Sequence, residues 1–228
     1  IKPGDVDWAK VFDGADWFHF TGITPAISKN AGEVCIEAAK AAKELGITVS
    51  ADMNYRKNLW TPEEAQATMI PMMKYVDVSI GNEEDAEKCL GVAAEGVDVT
   101  VGEIDPEAYR PVVQELVDKF GFKKVAITLR ESFSADDNGW SAIYYDGDEI
   151  LVGNKYPVRI VDRVGGGDSF CAAMIYGLNQ SDWNSRQVLD FAVASSAMSH
   201  TFHGDFNLVS VKEVMAVAGG DTSGRVQR

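Results

Sequence analysis

Along its first 130 residues the chain alternates between strand-like and helix-like patterning, and this order restricts the fold more than any other feature. "DWFHFTGI" (16–23) reads as a strand, and "NAGEVCIEAAKAAKELG" (30–46) as an Ala-rich helix that Gly46 ends. "ITVSADM" (47–53) is the next strand, followed by the polar loop "NYRKNLW". The following helix opens with Thr61 as N-cap, Pro62 at the first helical position and Glu64 closing a capping box. "YVDVSI" (75–80) is a third strand, and Asn82 is placed to cap "NEEDAEKCLG". A less regular stretch (92–104) precedes a helix over about 106–121 and a fourth strand, "KKVAITL" (123–129). Such alternation predicts an α/β fold with a mostly parallel sheet and helices on both faces.

After residue 130 the patterning changes. "WSAIYYDGDEILVGNKYPVRIV" reads as two strands joined at Asp146-Gly147, a hairpin signal. Helices over roughly 167–178, 184–203 and 210–217 follow, and the tail "GGDTSGRVQR" is expected to be mobile unless docked. Neither a repeat nor a linker marks a boundary, so residues 1–228 read as a single α/β domain.

Charge narrows the function classes. Lys and Arg number 21 against 35 Asp and Glu, a net charge of −14, which argues against sequence-independent nucleic-acid binding. An anionic ligand must therefore be held by local groups against the global field. Cys35, Cys89 and Cys171 are scattered and odd in number, suiting neither a disulfide framework nor a zinc site, so a cytoplasmic setting is expected. No apolar run reaches the length of a membrane span. The chain opens at Ile1, close to structured sequence, and reads as part of a longer protein.

Against this background "VDRVGGGDSF" (161–170) needs a reason, because ordered glycine costs conformational entropy. A tight strand-to-helix turn explains one or two of the glycines and leaves Asp168 as an ordinary first-turn acid. A dinucleotide fingerprint fails, since Phe170 stands where the third glycine belongs. A Walker A loop fails too, for no Gly-Lys-Ser/Thr follows. Beside the plain turn stands another reading, an anion hole in which the amides of Gly165, Gly166 and Gly167 and the helix start hold an anionic transferring group. Asp168 beside it then receives the proton of an attacking hydroxyl, which is the logic of phosphoryl transfer.

These residues carry a resemblance. "DRVGGGDSF" resembles the Asp-Thr-x-Gly-Ala-Gly-Asp-x-Phe signature of the ribokinase-like (PfkB-type) sugar kinases, with Arg163 for Thr and Gly166 for Ala. "ADMNYRKNLW" (51–60) is similar to the Asp-x-Asn-x-Arg-x-x-Leu-Trp motif of the 2-keto-3-deoxygluconate kinases within that family. "GNEEDAE" (81–87) is similar to its Asn-x-x-Glu motif near magnesium and phosphate, with Asp85 where Glu is commoner. The ending "SGRVQR" also looks like this subgroup. The resemblance covers essentially the whole chain. It implies a three-layer fold, and a preceding N-terminal portion that supplies the first strands, a β lid and part of the sugar site.

The resemblance also implies roles. ATP and Mg²⁺ are the expected cofactors, and a sugar acid the expected partner. Self-association through the lid would make a homo-oligomer. Arg56 is assigned to the sugar-acid carboxylate, whose planar shape a guanidinium matches bidentately. Asp205, after Gly204, is assigned to the sugar hydroxyls, and Asp168 to the hydroxyl that attacks. Asn54, Arg130, Ser132, Gly204 and Asn207 are nucleotide candidates, and Asn82 and Asp85 reach the metal indirectly. His200 and His203 stand i, i+3 near a helix end, where a metal needs a third ligand that the sequence does not show. The expected activity is phosphorylation of the terminal hydroxyl of 2-keto-3-deoxygluconate. The alternatives are a kinase of a neutral ketose such as fructose, or a non-catalytic nucleotide- or sugar-binding remnant.

Overall fold

Seven strands hydrogen-bond in the order β1-β2-β3-β4-β5-β6, with β7 also on β5, in a computed structural model that describes residues 1–93 and 105–220. The strands are β1 (Trp17–Thr21), β2 (Thr48–Asp52), β3 (Val78–Asn82), β4 (Lys124–Ser132), β5 (Asp137–Tyr145), β6 (Ile150–Val152) and β7 (Tyr156–Arg159). The helices are α1 (Trp8–Val11), α2 (Ile23–Ile27), α3 (Lys29–Glu44), α4 (Pro62–Met73), α5 (Glu83–Leu90), α6 (Arg110–Phe120), α7 (Gly166–Leu178), α8 (Ser185–Ser199) and α9 (Val211–Ala218). A 3₁₀ turn, Pro106–Tyr109, leads into α6. Most of the expected irregular stretch 92–104, and the tail ending in "SGRVQR", lie outside the described residues.

The contacts divide the chain into two units. The first holds the chain through α5 together with Glu107–Ile127 and Tyr145–Ile150. Here β1 pairs with β2, and β2 with β3, in parallel, as the alternation predicts. Ser28 caps α3 by accepting from the Ala31 N–H. The face that α3 buries is built of small residues, Gly32, Ala38, Ala39 and Ala42 among them, so backbones approach closely. Thr61 and Glu64 form the predicted capping box of α4, and Asn82 caps α5. At 0% exposure, Val49 contributes about 2 kcal/mol of apolar transfer to this core.

Two boundaries in the first unit differ from expectation. β1 stops at Thr21, because Gly22 donates its N–H to the Asp52 carbonyl and the chain turns into α2. β3 begins at Val78 rather than Tyr75, since the Tyr75 and Val76 N–H groups close turns onto Met72 and Met73. Asp77, 4% exposed, is used there as an acceptor: its carboxylate takes Lys43, Lys123 and the Val49 N–H.

The second unit holds Thr128–Tyr144 and the chain from Leu151 onward. β5 begins earlier than expected, after a turn in which the Phe133 and Ser134 N–H groups donate to the Asp137 carbonyl. The strand expected to follow Asp146-Gly147 is split into β6 and β7. Gly153 donates to the Ala142 carbonyl, and a Cβ there would lie 3.0 Å from Val193 Cγ2, so the chain passes α8 closely at the break. β7 is antiparallel to β5, with Pro157 opposite Gly139. α8 ends at Ser199, four residues short of expectation. The His200 carbonyl beyond it accepts the Val161 and Asp162 N–H groups instead of continuing the helix.

Candidate active site

In the first unit the loop after β2 is fixed from beneath. Asn54 takes a left-handed backbone (φ 41°), a conformation Asn tolerates better than most residues. Its Nδ2 donates to Thr21 Oγ1 at 3.2 Å and to Asp52 Oδ2 at 3.1 Å. The next N–H, of Tyr55, donates to Asp85 Oδ1 at 2.8 Å, and the Tyr55 hydroxyl reaches the Trp60 carbonyl at 3.1 Å. The Leu59 N–H closes a turn onto the Arg56 carbonyl at 2.9 Å, with Trp60 buried at its end. Arg56 is thereby lifted into solvent, and among the described residues its guanidinium makes no ion pair.

Asp85 connects this loop to α5. Its Oδ2 accepts the Asn82 N–H at 2.9 Å, completing a capping box in which Asn82 Oδ1 accepts the Glu84 and Asp85 N–H groups. Burial pushes the Asp85 carboxyl up to about 6, against the two backbone N–H bonds and the charge of Arg56. A Cβ on Gly81 would lie 3.2 Å from Asp85 Cβ, so glycine there leaves the carboxylate its place. Both Asp85 oxygens and the Asn82 oxygen are already engaged by backbone donors. No group of three or more His, Cys, Asp or Glu among the described residues could hold a metal ion directly.

In the second unit the glycine turn separates into three roles. Gly165 is the N-cap of α7 in the left-handed conformation (φ 81°), and a Cβ there would collide with the Asp205 carbonyl oxygen. Gly166 is buried, with its carbonyl accepting Ser196 Oγ–H at 2.7 Å, and a Cβ there would lie 2.5 Å from the His200 ring. Gly167 meets nothing within 4 Å. Packing thus accounts for the first two glycines and leaves the third facing open space. No side chain caps α7; the Gly166 N–H closes a turn onto the Arg163 carbonyl at 3.4 Å, and no side chain takes the other first-turn amides. Asp168 stands exposed in that first turn.

Asp162 braces this turn, a part the sequence reading did not assign to it. Its Oδ1 accepts the Val164 N–H at 3.1 Å and its Oδ2 the Gly204 N–H at 3.0 Å. Those bonds hold its carboxyl below the usual range. The Asp205 backbone is thus set against Gly165, and its side chain is exposed. Asn207 is committed within the protein: its Nδ2 donates to Ser169 Oγ (2.6 Å), Ser195 O (3.0 Å) and Ser195 Oγ (3.1 Å). Ser132 Oγ lies 3.4 Å from Asn138 Oδ1, and Arg130 Nε is buried without a hydrogen-bond partner. His200 is 3% exposed and its Nδ1–H donates to the Ser196 carbonyl, a packing role rather than a metal ligand's. The signal for Asp162 was present in the sequence as the first residue of "DRVGGGDSF", but nothing local shows that its partner lies 42 residues away.

A glycine-capped helix start without a side-chain cap and an exposed carboxylate in its first turn are thus next to each other in the second unit. Residues 4–210 match the model of the pfkB family carbohydrate kinases, and the chain belongs to that family. It is similar to the crystal structure of 2-dehydro-3-deoxygluconokinase from Thermotoga maritima, at 48% identity and a TM-score of 0.89, over 96% of this chain and 65% of that one. Among curated proteins it is 28% identical to 2-dehydro-3-deoxygalactonokinase of Haloferax volcanii, over 94% of this chain and 60% of the relative. It is 31% identical to 2-dehydro-3-deoxygluconokinase of Thermoproteus tenax, over 90% of this chain and 55% of the relative. The chain therefore spans less than two thirds of the length of each.

Proposed function

We propose that the protein transfers the γ-phosphoryl group of ATP to the terminal hydroxyl of 2-keto-3-deoxygluconate, giving the 6-phosphate and ADP. The observation that carries this reading is the start of α7, where uncapped amides and the open face of Gly167 adjoin the exposed carboxylate of Asp168. The likeness to the Thermotoga maritima kinase supports the choice of substrate. Asp168 takes the hydroxyl proton as that oxygen bonds to phosphorus and ADP leaves. The amides of Gly165, Gly166 and Gly167 stabilise the charge on the phosphoryl oxygens. Arg56 holds the sugar-acid carboxylate, and Asp205 the sugar hydroxyls. Asn54, Arg130, Ser132 and Gly204 serve the nucleotide, with Asn207 acting through the segment it ties down.

Asn82 and Asp85, whose oxygens already accept backbone N–H groups, would meet Mg²⁺ through water. When bound, the ion neutralises phosphate charge. The test is Mg²⁺-dependent ADP release with 2-keto-3-deoxygluconate and with fructose, in the wild type and in Asp168→Asn. The sugar acid is expected to be the better substrate, and the substitution to cut turnover by roughly 10²–10⁴-fold. Near-normal turnover in the variant would overturn the role of Asp168.

A further inference from the structure

Two arginines near the start of α7 make no ion pair among the described residues. Arg163 donates from Nη2 to the Ala135 carbonyl at 3.0 Å, which fixes its guanidinium at the turn between β4 and β5. Arg130 Nε is buried and unpartnered. The two charges act on each other, and both act on His200. Neither arginine forms an ion pair among the described residues, although the chain carries 35 Asp and Glu. Asp136 does attract Arg163, but burial and the field of Arg130 outweigh it.

The surroundings add donors rather than acceptors. A Cβ on Gly139 would lie 2.6 Å from Glu131 Oε2, so these two residues share one face of the β4–β5 pair. Strand alternation then puts Arg130 and Trp140 on the opposite face. There the Trp140 ring packs on His200 at 4.7 Å between centroids, and its buried Nε1–H has no partner. His200 in turn lies against Gly166, at the start of α7. Burial lowers the tendency of the imidazole to take up a proton, so it does not compete as a third cation. Two guanidinium groups held together repel each other until an anion of more than one charge lies between them. A single phosphoryl group is served by the glycine amides, and the arginines offer sites for further phosphates in line with it.

We propose that Arg163 joins Arg130, assigned to the nucleotide above, in holding its polyphosphate chain, Arg163 being a determinant of nucleotide affinity that acts by its charge. The proposal rests on the kinase reading above, but binding tests it separately from turnover. Affinities of ADP and of inorganic tripolyphosphate for the 228-residue chain would be measured by calorimetry at two or more ionic strengths. The variants are Arg163→Gln, Arg163→Ala and Arg130→Gln. Glutamine at 163 keeps a donor for the Ala135 carbonyl and removes the charge, so it separates bracing from ligand binding. The expected result is a loss of at least about tenfold in ADP affinity in Arg163→Gln and Arg130→Gln, with a shallower salt dependence.

Asp168→Asn is expected to keep ADP affinity within about twofold even where its turnover collapses. Wild-type ADP affinity in Arg163→Gln, or no ADP binding by the wild type, would overturn the proposal. Tripolyphosphate binding that is lost in the variants, with ADP affinity unchanged, would overturn the nucleotide assignment in favour of free polyphosphate. If Arg163→Ala does not fold, the glutamine variant decides.

Discussion

The imidazole of His200 occupies the place where any side chain at position 166 would begin: a Cβ on Gly166 would lie 2.5 Å from its Cε1 and Nε2. His200 cannot easily yield. Its Nδ1–H donates to the Ser196 carbonyl at 2.7 Å, and its other side is covered by Trp140. Gly167, one residue on, has no neighbour within 4 Å in the direction a side chain would take. Two adjacent glycines are thus glycine for different reasons, one internal and one facing outward.

Alanine substitutions should separate the two. Gly166→Ala is expected to destabilise the chain by about 1–3 kcal/mol through overpacking against His200. Gly167→Ala is expected to leave stability unchanged or raise it by a few tenths of a kcal/mol, since alanine is the better helix former. It should nevertheless weaken ATP binding and slow turnover, because the methyl group stands where the transferring phosphoryl group would approach. Urea unfolding and nucleotide titration of both variants check this. Equal unfolding midpoints for the two would remove the packing account of Gly166.

Arg56 is exposed and unpaired among the described residues, so Arg56→Ala should not change the unfolding midpoint. Its effect should fall on the sugar acid. Loss of a charge-assisted contact of about 1.5–3 kcal/mol predicts a KM about 10–100-fold higher for 2-keto-3-deoxygluconate. Lysine at this position should recover only part of the loss, having no bidentate face. With fructose, which has no carboxylate, KM should barely move. Equal effects on both sugars would place the role of Arg56 elsewhere.

Asp85 predicts a stability slope of unusual sign. Its carboxyl sits at about 6 in the folded chain against an ordinary value of 3.8, chiefly through burial. The folded state therefore binds more protons than the unfolded one between those values. The stability this group contributes is present in full below about 3.8 and is lost as pH rises through 6, a change of about 3 kcal/mol. Asp77 shows the opposite sign. Burial opposes its charge, but Lys43, the Val49 N–H and Lys123 prevail and hold it below its ordinary value. Its contribution is lost only in acid, outside this window. The stability of wild type minus that of Asp85→Asn should fall between pH 4 and pH 7. A flat difference would show that the two backbone N–H bonds keep Asp85 ionised throughout.

Local chemistry made the framework readable from the sequence. The capping residues Thr61, Asn82 and Glu64 act over one helical turn, and each is found in its predicted place. The α7 turn was also legible, because glycine next to glycine next to an acid has few structural explanations. What escaped depends on partners far along the chain. β3 starts late because Tyr75 and Val76 close turns onto the end of α4, and the acid Asp77 is buried only because the folded chain brings Lys43 and Lys123 to it. Asn207 is a nucleotide candidate by resemblance, and nothing in the sequence shows that its amide also donates to the distant Ser169 and Ser195. Asp162 had the right neighbours in its motif, but its bond to Gly204 could not be read from spacing.

The two oxygens of Asp162 hold Val164 at one end of the turn and Gly204 at the start of a segment 42 residues away. Gly165 then carries the Asp205 backbone against it, and Asn207 pins the same segment to Ser169 and Ser195. The stretch 161–169 is therefore not a portable cassette. Grafted alone into another scaffold it would lose the surface that gives its glycines their shape, and a working transplant would have to carry residues 195–207 with it.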